Sequence, residues 1–310
     1  MKSLRYIFLF GIVLLLFSCN KFSGNQEIPA YLRIEPWDFS IPNNDYDNYG
    51  AATQSITDAW LYVNGSFQGC YEMKKHEDGV YAQIPVLEEG EKNLTFYPGI
   101  KMNGISSTRI QYPFYKPYKI KHTFVQQEIG TINPSTSYYD IDSTVLTFKL
   151  MEDFENENNI KLFRLDTTYA ELNVIRHDED TNAWMTPSDP LHYRSGHFHL
   201  ADSTLRFAVA TGELTGLPHD GRSYVLMELD YKCSSDFLIG MYIKSSLDGI
   251  MDKDLYYLRA TDVWKKAYMN FTPTIIENYN AVYFKIYFKG AVLEGETGDF
   301  YFDNIKLIHN

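Results

Sequence analysis

What most restricts this chain is an alternation that keeps restarting. From Leu146 onward, nine short runs alternate apolar with polar residues. They are Leu146 to Phe154, Leu172 to Arg176, Phe198 to Phe207, Tyr224 to Lys232, Phe237 to Lys244, Leu255 to Ala260, Trp264 to Phe271, Ala281 to Phe288 and Phe300 to Ile308. Side chains two apart share one face of a strand, so each run can bury one face and wet the other. No long stretch repeats at the helical period. The pattern predicts an all-β fold, and so many short strands with turns between them predict a sandwich.

The first half carries its own local signal. Ala59 to Val63, then Asn64-Gly65, then Ser66 to Tyr71 sets two runs of strand formers around a dipeptide that takes the positive φ angles of a type I′ turn. A hairpin is expected there, with further strands at Ile84 to Leu87, Asn93 to Tyr97 and Lys119 to Val125. Residues 126–145 lose the alternation and hold a proline among serines and threonines, which predicts a linker. The chain therefore divides into a small β-sandwich over 28–125, a linker over 126–145 and a larger sandwich over 146–310.

Two resemblances sharpen this division. "LYVNGSFQGCYEM…AQIPVLEEGEKNLTFYPGI" resembles the small PEGA-type, immunoglobulin-like sandwich in its Asn-Gly turn, second glycine and acidic-Gly turn. "MEDFE" (151–155), "RSGHFHL" (194–200), "WKKAYMNF" (264–271) and "DFYFDNIKLI" (299–308) fall in the order of the galactose-binding-like jelly roll, the fold of many carbohydrate-binding modules. That second resemblance implies that Glu155 and Asp303 help hold a structural calcium where the first and last strands meet. No cofactor beyond that ion is expected.

At the other end of the chain, Lys2 and Arg5 precede an apolar run from Tyr6 to Phe17 that stops at Ser18-Cys19. Its 12 residues fall short of the roughly 20 that a spanning helix needs. Residues 1–18 are expected to be a signal peptide. Leu16-Phe17-Ser18-Cys19 resembles the lipobox of Bacteroidota-type lipoproteins, which implies a lipidated Cys19, a tether over 19–27 and an outer-membrane location whose face stays open. Acyl chains stabilise such an anchor by about 0.8 kcal/mol per buried methylene.

Charge and motifs narrow the chemistry. A net charge of −12 opposes phosphate backbones, so no nucleic-acid partner is expected. Asp153, Glu155 and Glu157, with Asp178, Glu179 and Asp180, supply carboxylates, but a glycosidase needs two at a fixed separation. GxSxG, HExxH, GxGxxG and a P-loop are all absent, so no enzyme is expected. His197 and His199 share a strand face at a spacing that can chelate zinc or copper, with His192 as a third ligand if its loop folds back. Trp184 lies in a polar loop with no strand pattern, which makes it the candidate for stacking on a sugar or wedging into a partner. Trp60 and Trp264 sit inside strand patterns and are expected in the cores.

With Cys19 lipidated, Cys70 and Cys233 remain, and two separate thiols are expected. The function these features support is a non-enzymatic accessory subunit of an outer-membrane protein assembly, offering a broad aromatic surface to a membrane-protein partner. The alternative is a glycan-binding lipoprotein that uses the jelly roll, and a carboxylate-based glycoside hydrolase stands behind both.

Overall fold

A computed structural model describes residues 28–141, 146–185, 192–246 and 249–310. The signal peptide, Cys19 and the tether lie outside the described residues. The first half contains β1 (Ala30–Ile34), β2 (Asp38–Ser40), β3 (Asp58–Val63), β4 (Ser66–Glu72), β5 (Lys74–His76), β6 (Gly79–Val86), β7 (Gly90–Lys101), β8 (Arg109–Gln111), β9 (Tyr118–Phe124), β10 (Ile129–Ile132) and β11 (Ser135–Ser137). The second contains β12 (Thr147–Glu152), β13 (Leu162–Arg164), β14 (Asn173–Arg176), β15 (Arg194–Leu200), β16 (Arg206–Thr211), β17 (Val225–Cys233), β18 (Phe237–Ser245), β19 (Ile250–Leu258), β20 (Thr261–Asn270), β21 (Ala281–Ala291) and β22 (Gly298–His309). The fold is all-β, built of sandwiches. Among the described residues no helix is long and apolar enough to cross a membrane.

In the first half the sheet β10-β1-β6-β5 faces the sheet β4-β3-β7-β8, with β9 also paired to β7. Leu32, Ile34, Leu61, Val63, Leu94 and Phe96 fill the space between them. Alternation explains the choice: Ala59, Leu61 and Val63 point inward from β3, leaving Trp60 and Tyr62 half-buried on the other face. The expected hairpin is present, with Val63 paired to Ser66 and Asn64 and Gly65 at φ 48° and 83°.

In the second half β14-β15-β22-β17-β20, with β12 also on β22, packs against β13-β16-β21-β18-β19. Phe198, Phe300 and Phe302 from the first sheet meet Phe207, Phe237 and Phe288 from the second. Phe198 stacks on Phe207 with centroids 4.3 Å apart. Aromatic pairs of this kind add about 0.5–1.5 kcal/mol beyond the area they bury.

The expected linker needs correcting. Within 126–141 the chain forms β10, paired in parallel with β1, and β11, paired in parallel with β2. The segment reads as irregular because each strand is only three or four residues long and Pro134 separates them. The placement of Trp60 and Trp264 is corrected as well. Both are half-buried: Trp60 lies on the outer face of β3 opposite the inward Ala59 and Leu61, whereas Trp264 lies on the edge strand β20 between the exposed Val263 and Lys265. The tryptophan that is buried is Trp37, whose indole N–H donates to the Asp58 carbonyl. Cys70 and Cys233 are both free, and burial pushes each thiol up to about 11.

A third apolar cluster joins the halves. Tyr49, Tyr112, Phe114, Tyr115 and Tyr138 from the first pack with Leu226, Tyr268 and Ile308 from the second. Charged groups sit inside it. The Glu228 carboxylate accepts from the Tyr112 hydroxyl at 2.6 Å and the Tyr138 hydroxyl at 2.8 Å, and pairs with Lys266 at 2.9 Å. Lys306 donates to the Ala51 carbonyl at 2.9 Å. Although burial alone would raise Glu228, Lys266 and Lys306 hold its carboxyl below the usual range. A buried charge costs several kcal/mol unless it is paired and hydrogen-bonded, and here each partner comes from the opposite half or a neighbouring strand.

Candidate functional site

A concave surface lined by rings and charged side chains lies on the outer face of β13-β16-β21-β18-β19. On β21 the alternation Tyr283, Lys285, Tyr287, Lys289 points outward while Phe284, Ile286 and Phe288 enter the core. On β18, Leu238, Gly240 and Tyr242 point outward between Phe237, Ile239, Met241 and Ile243. The register sets Gly240 opposite Tyr287 and Leu238 opposite Lys289.

That register dictates how Tyr287 lies. Its ring crosses β18 over Gly240, where a Cβ would stand 2.3 Å from the ring and 2.5 Å from the Lys253 carbonyl. Only glycine leaves that path open. The Tyr287 hydroxyl reaches β19 and donates to Asp254 Oδ1 at 2.5 Å. Burial, then that hydrogen bond, raise the phenol far above its usual range, so it stays a donor. Lys289 Nζ sits 3.8 Å above the ring and Tyr242 packs beside it at 4.6 Å. Tyr287 is wholly buried and works as a brace. Tyr242 and Lys289 are what it presents.

Around this brace a cleft of about 640 Å³ opens, bounded by Leu165, Asp166 and Tyr169 on one side and Tyr242 and Tyr257 on the other. Ala208 keeps its floor low, and Arg206 and Lys289 add cations. Tyr257 is 71% exposed. The arrangement is three tyrosines, two cations and two acids, Asp166 and Asp236, over the sheet, within the size range of ligand clefts. Such rings can stack on the apolar faces of sugars while the charged groups take hydroxyls.

The residues singled out by sequence lie elsewhere, on the opposite sheet. Trp184 is half-buried, its backbone N–H donating to Ser195 Oγ at 2.8 Å, and the Ser195 hydroxyl donates to Asp303 Oδ2 at 2.9 Å. The loop is thus pinned against β15. Glu155 is held at the same strand, accepting the Tyr193 and Arg194 N–H groups at 2.6 and 2.8 Å and the Arg194 guanidinium at 3.2 Å.

The residues do not fit the calcium implied for Glu155 and Asp303. Calcium needs six to eight oxygens, but the oxygens of these two acids already face N–H and O–H donors. Arg194 supplies the positive charge at Glu155, and the second Asp303 oxygen accepts from the Asn304 N–H at 2.6 Å. Burial pushes the Asp303 carboxyl well above the usual range.

His192 does not join His197 and His199. It is buried beside Tyr46, with Nε2 3.8 Å from Asp153. The acids offered for hydrolysis are also engaged, Glu157 with Arg194 at 3.1 Å and Asp178 with Arg176 at 2.8 Å.

The described residues define a class: an all-β protein of stacked sandwiches with a tyrosine-lined cleft on one outer sheet. No family model matches the sequence, and no curated protein matches it. Among solved structures, a carbohydrate-binding module from the β-sandwich superfamily is 9% identical, covering 92% of this chain and 99% of its own at a TM-score of 0.38. A family 11 carbohydrate-binding module from Clostridium thermocellum, in complex with a mixed-linked β-1,3-1,4 tetrasaccharide, is 16% identical over 51% of this chain and 93% of its own, at 0.32. A cyclase from Fischerella sp. TAU is 10% identical over 53% and 98%, at 0.36. These are likenesses of architecture alone.

Proposed function

We propose that the protein is a non-catalytic glycan-binding protein, held at a membrane surface through a lipidated Cys19, and that its ligand lies in the Tyr242–Tyr257–Tyr169 cleft. The observation that carries the reading is the brace: Gly240, Tyr287 and Asp254 spend three strands' worth of register on fixing Tyr242 and Lys289 at a cleft wall. Preorganised rings lose little entropy on binding, which suits an uncharged, hydroxyl-rich ligand.

The accessory-subunit reading asks for a broad aromatic surface. Many of the tyrosines that would supply it, including Tyr49, Tyr112, Tyr115, Tyr138 and Tyr268, are instead buried between the halves. That distribution favours the glycan reading over a docking role.

The test is affinity electrophoresis of the purified chain through gels of soluble polysaccharides. At least one polysaccharide should retard the protein, and Tyr242→Ala or Tyr257→Ala should weaken retention about tenfold, the loss of roughly 1.4 kcal/mol. Retention untouched by both substitutions, or no retention by any polysaccharide, sinks the proposal. The anchor has its own readout: Cys19→Ala should release the protein from membranes, and continued membrane attachment would contradict it.

A further inference from the structure

The outer face of the opposite sheet carries a side-chain cluster that glycan binding does not use. His197 and His199 leave β15 on the same side, between Phe198 and Leu200, which enter the core. Asp299 leaves β22 directly opposite His199, because the register pairs those two residues. Two strands thus bring three potential ligands to one spot. His197 Nε2 and His199 Nδ1 each lie 2.8 Å from the same Asp299 oxygen, Oδ1, and all three ligand atoms fall within 4.8 Å of one another.

We propose that His197, His199 and Asp299 form a zinc site. Two imidazoles and a carboxylate are a usual zinc donor set, and the fourth tetrahedral position is left for water or an outside ligand. Bonds of about 2.0–2.2 Å to a central ion would set the donors roughly 3.3 Å apart, so closing on zinc takes side-chain shifts of under about an ångström.

The surroundings favour a fixed site over a chance meeting of surface histidines. His197 stacks flat on Tyr301, with centroids 4.4 Å apart and rings 4° from parallel, so its ring plane is set. The Asp299 backbone is fixed too, its N–H donating to Ser234 Oγ at 2.8 Å. Side-chain exposure rises from 14% at His197 through 38% at Asp299 to 53% at His199, so an ion can enter from the His199 side. The nearest cation on the neighbouring strand, Lys232, is held by Asn182 Oδ1 at 2.6 Å.

The experiment is calorimetric titration of the untagged full chain with zinc chloride, with zinc-edge X-ray absorption on the loaded protein. One equivalent should bind, the spectrum should show two imidazoles, and His199→Gln and Asp299→Asn should each weaken binding at least about tenfold. His199 is largely exposed, so its variant tests the site without opening the core. Tyr242→Ala should bind zinc normally and His199→Gln should still be retained by polysaccharide, which separates this site from the proposed glycan cleft. Three results overturn the proposal: no saturable binding below about 1 mM, a spectrum without imidazole, or equal affinity in both ligand variants.

Discussion

Gly240 carries more of the cleft than any residue that lines it. Its missing side chain lets the Tyr287 ring cross to Asp254, and that crossing sets where Tyr242 and Lys289 stand. Gly240→Ala should force the ring aside, costing about 1–3 kcal/mol of stability as overpacking does, and weaken polysaccharide retention although Gly240 itself lies beneath the lining. A urea melt and the retention gel check both parts, and a variant as stable and as well retained as the parent would refute the account. The outward Tyr-x-Lys-x-Tyr-x-Lys of β21 was legible from the sequence as period-two alternation. Its meeting with Tyr169, Arg206 and Tyr257 was not, because that depends on which strands become neighbours. Trp184 stands in a loop without a strand pattern, yet hydrogen bonds from its own N–H to Ser195 and from Trp264 and Lys232 to Asn182 hold that loop to the sheet.

At the scale of elements, a turn carried by Asn-Gly is legible locally, whereas Phe198 to Phe207, one run in the sequence, turns at Asp202 and divides between β15 and β16 on opposite sheets. The β3–β4 hairpin follows from Asn64-Gly65 and its flanks, since turn chemistry is written within a few residues. Gly65 sits at φ 83° with no atom near its missing Cβ, so Gly65→Ala meets backbone strain without a clash. It should cost about 1–2 kcal/mol, measured by chemical denaturation, and an unchanged midpoint would mean that the turn adopts another geometry. The strands the sequence does not announce are all short: the antiparallel β5, β8 and β13, and the parallel pairs β10 against β1 and β11 against β2, with partners roughly a hundred residues apart. Nothing local distinguishes such a strand from a loop. The carboxylate of the histidine cluster was hidden for the same reason: β15 shows two histidines, and only the pairing with β22 supplies Asp299.

For the whole molecule, the charged network between the halves sets a pH dependence. Burial, reinforced by Lys266, pushes the Lys306 ammonium down to about 8. Below that pH the lysine is charged in both folded and unfolded chains, and burying the charge weighs against the fold. Between about 8 and the unfolded value near 10.5 the unfolded chain binds more protons, so this group adds stability as pH rises and loses it as pH falls through about 8. The stability of the parent relative to Lys306→Met should therefore improve between about pH 7.5 and about pH 9.5. Urea midpoints at the two values check this, and a difference that does not move with pH contradicts it.

The strands that replaced the expected linker also give the molecule a mechanical character. β1 is the first described strand, and it lies between β10 on one side and β6 on the other. A pull directed along β1 would load the hydrogen bonds on both flanks together, in shear. Such a ladder must yield all at once, whereas an edge hairpin pulled crosswise would unzip one bond at a time. A protein that grips a polymer at one end and is tethered at the other would gain from having a strand clamped on both flanks at the tethered end.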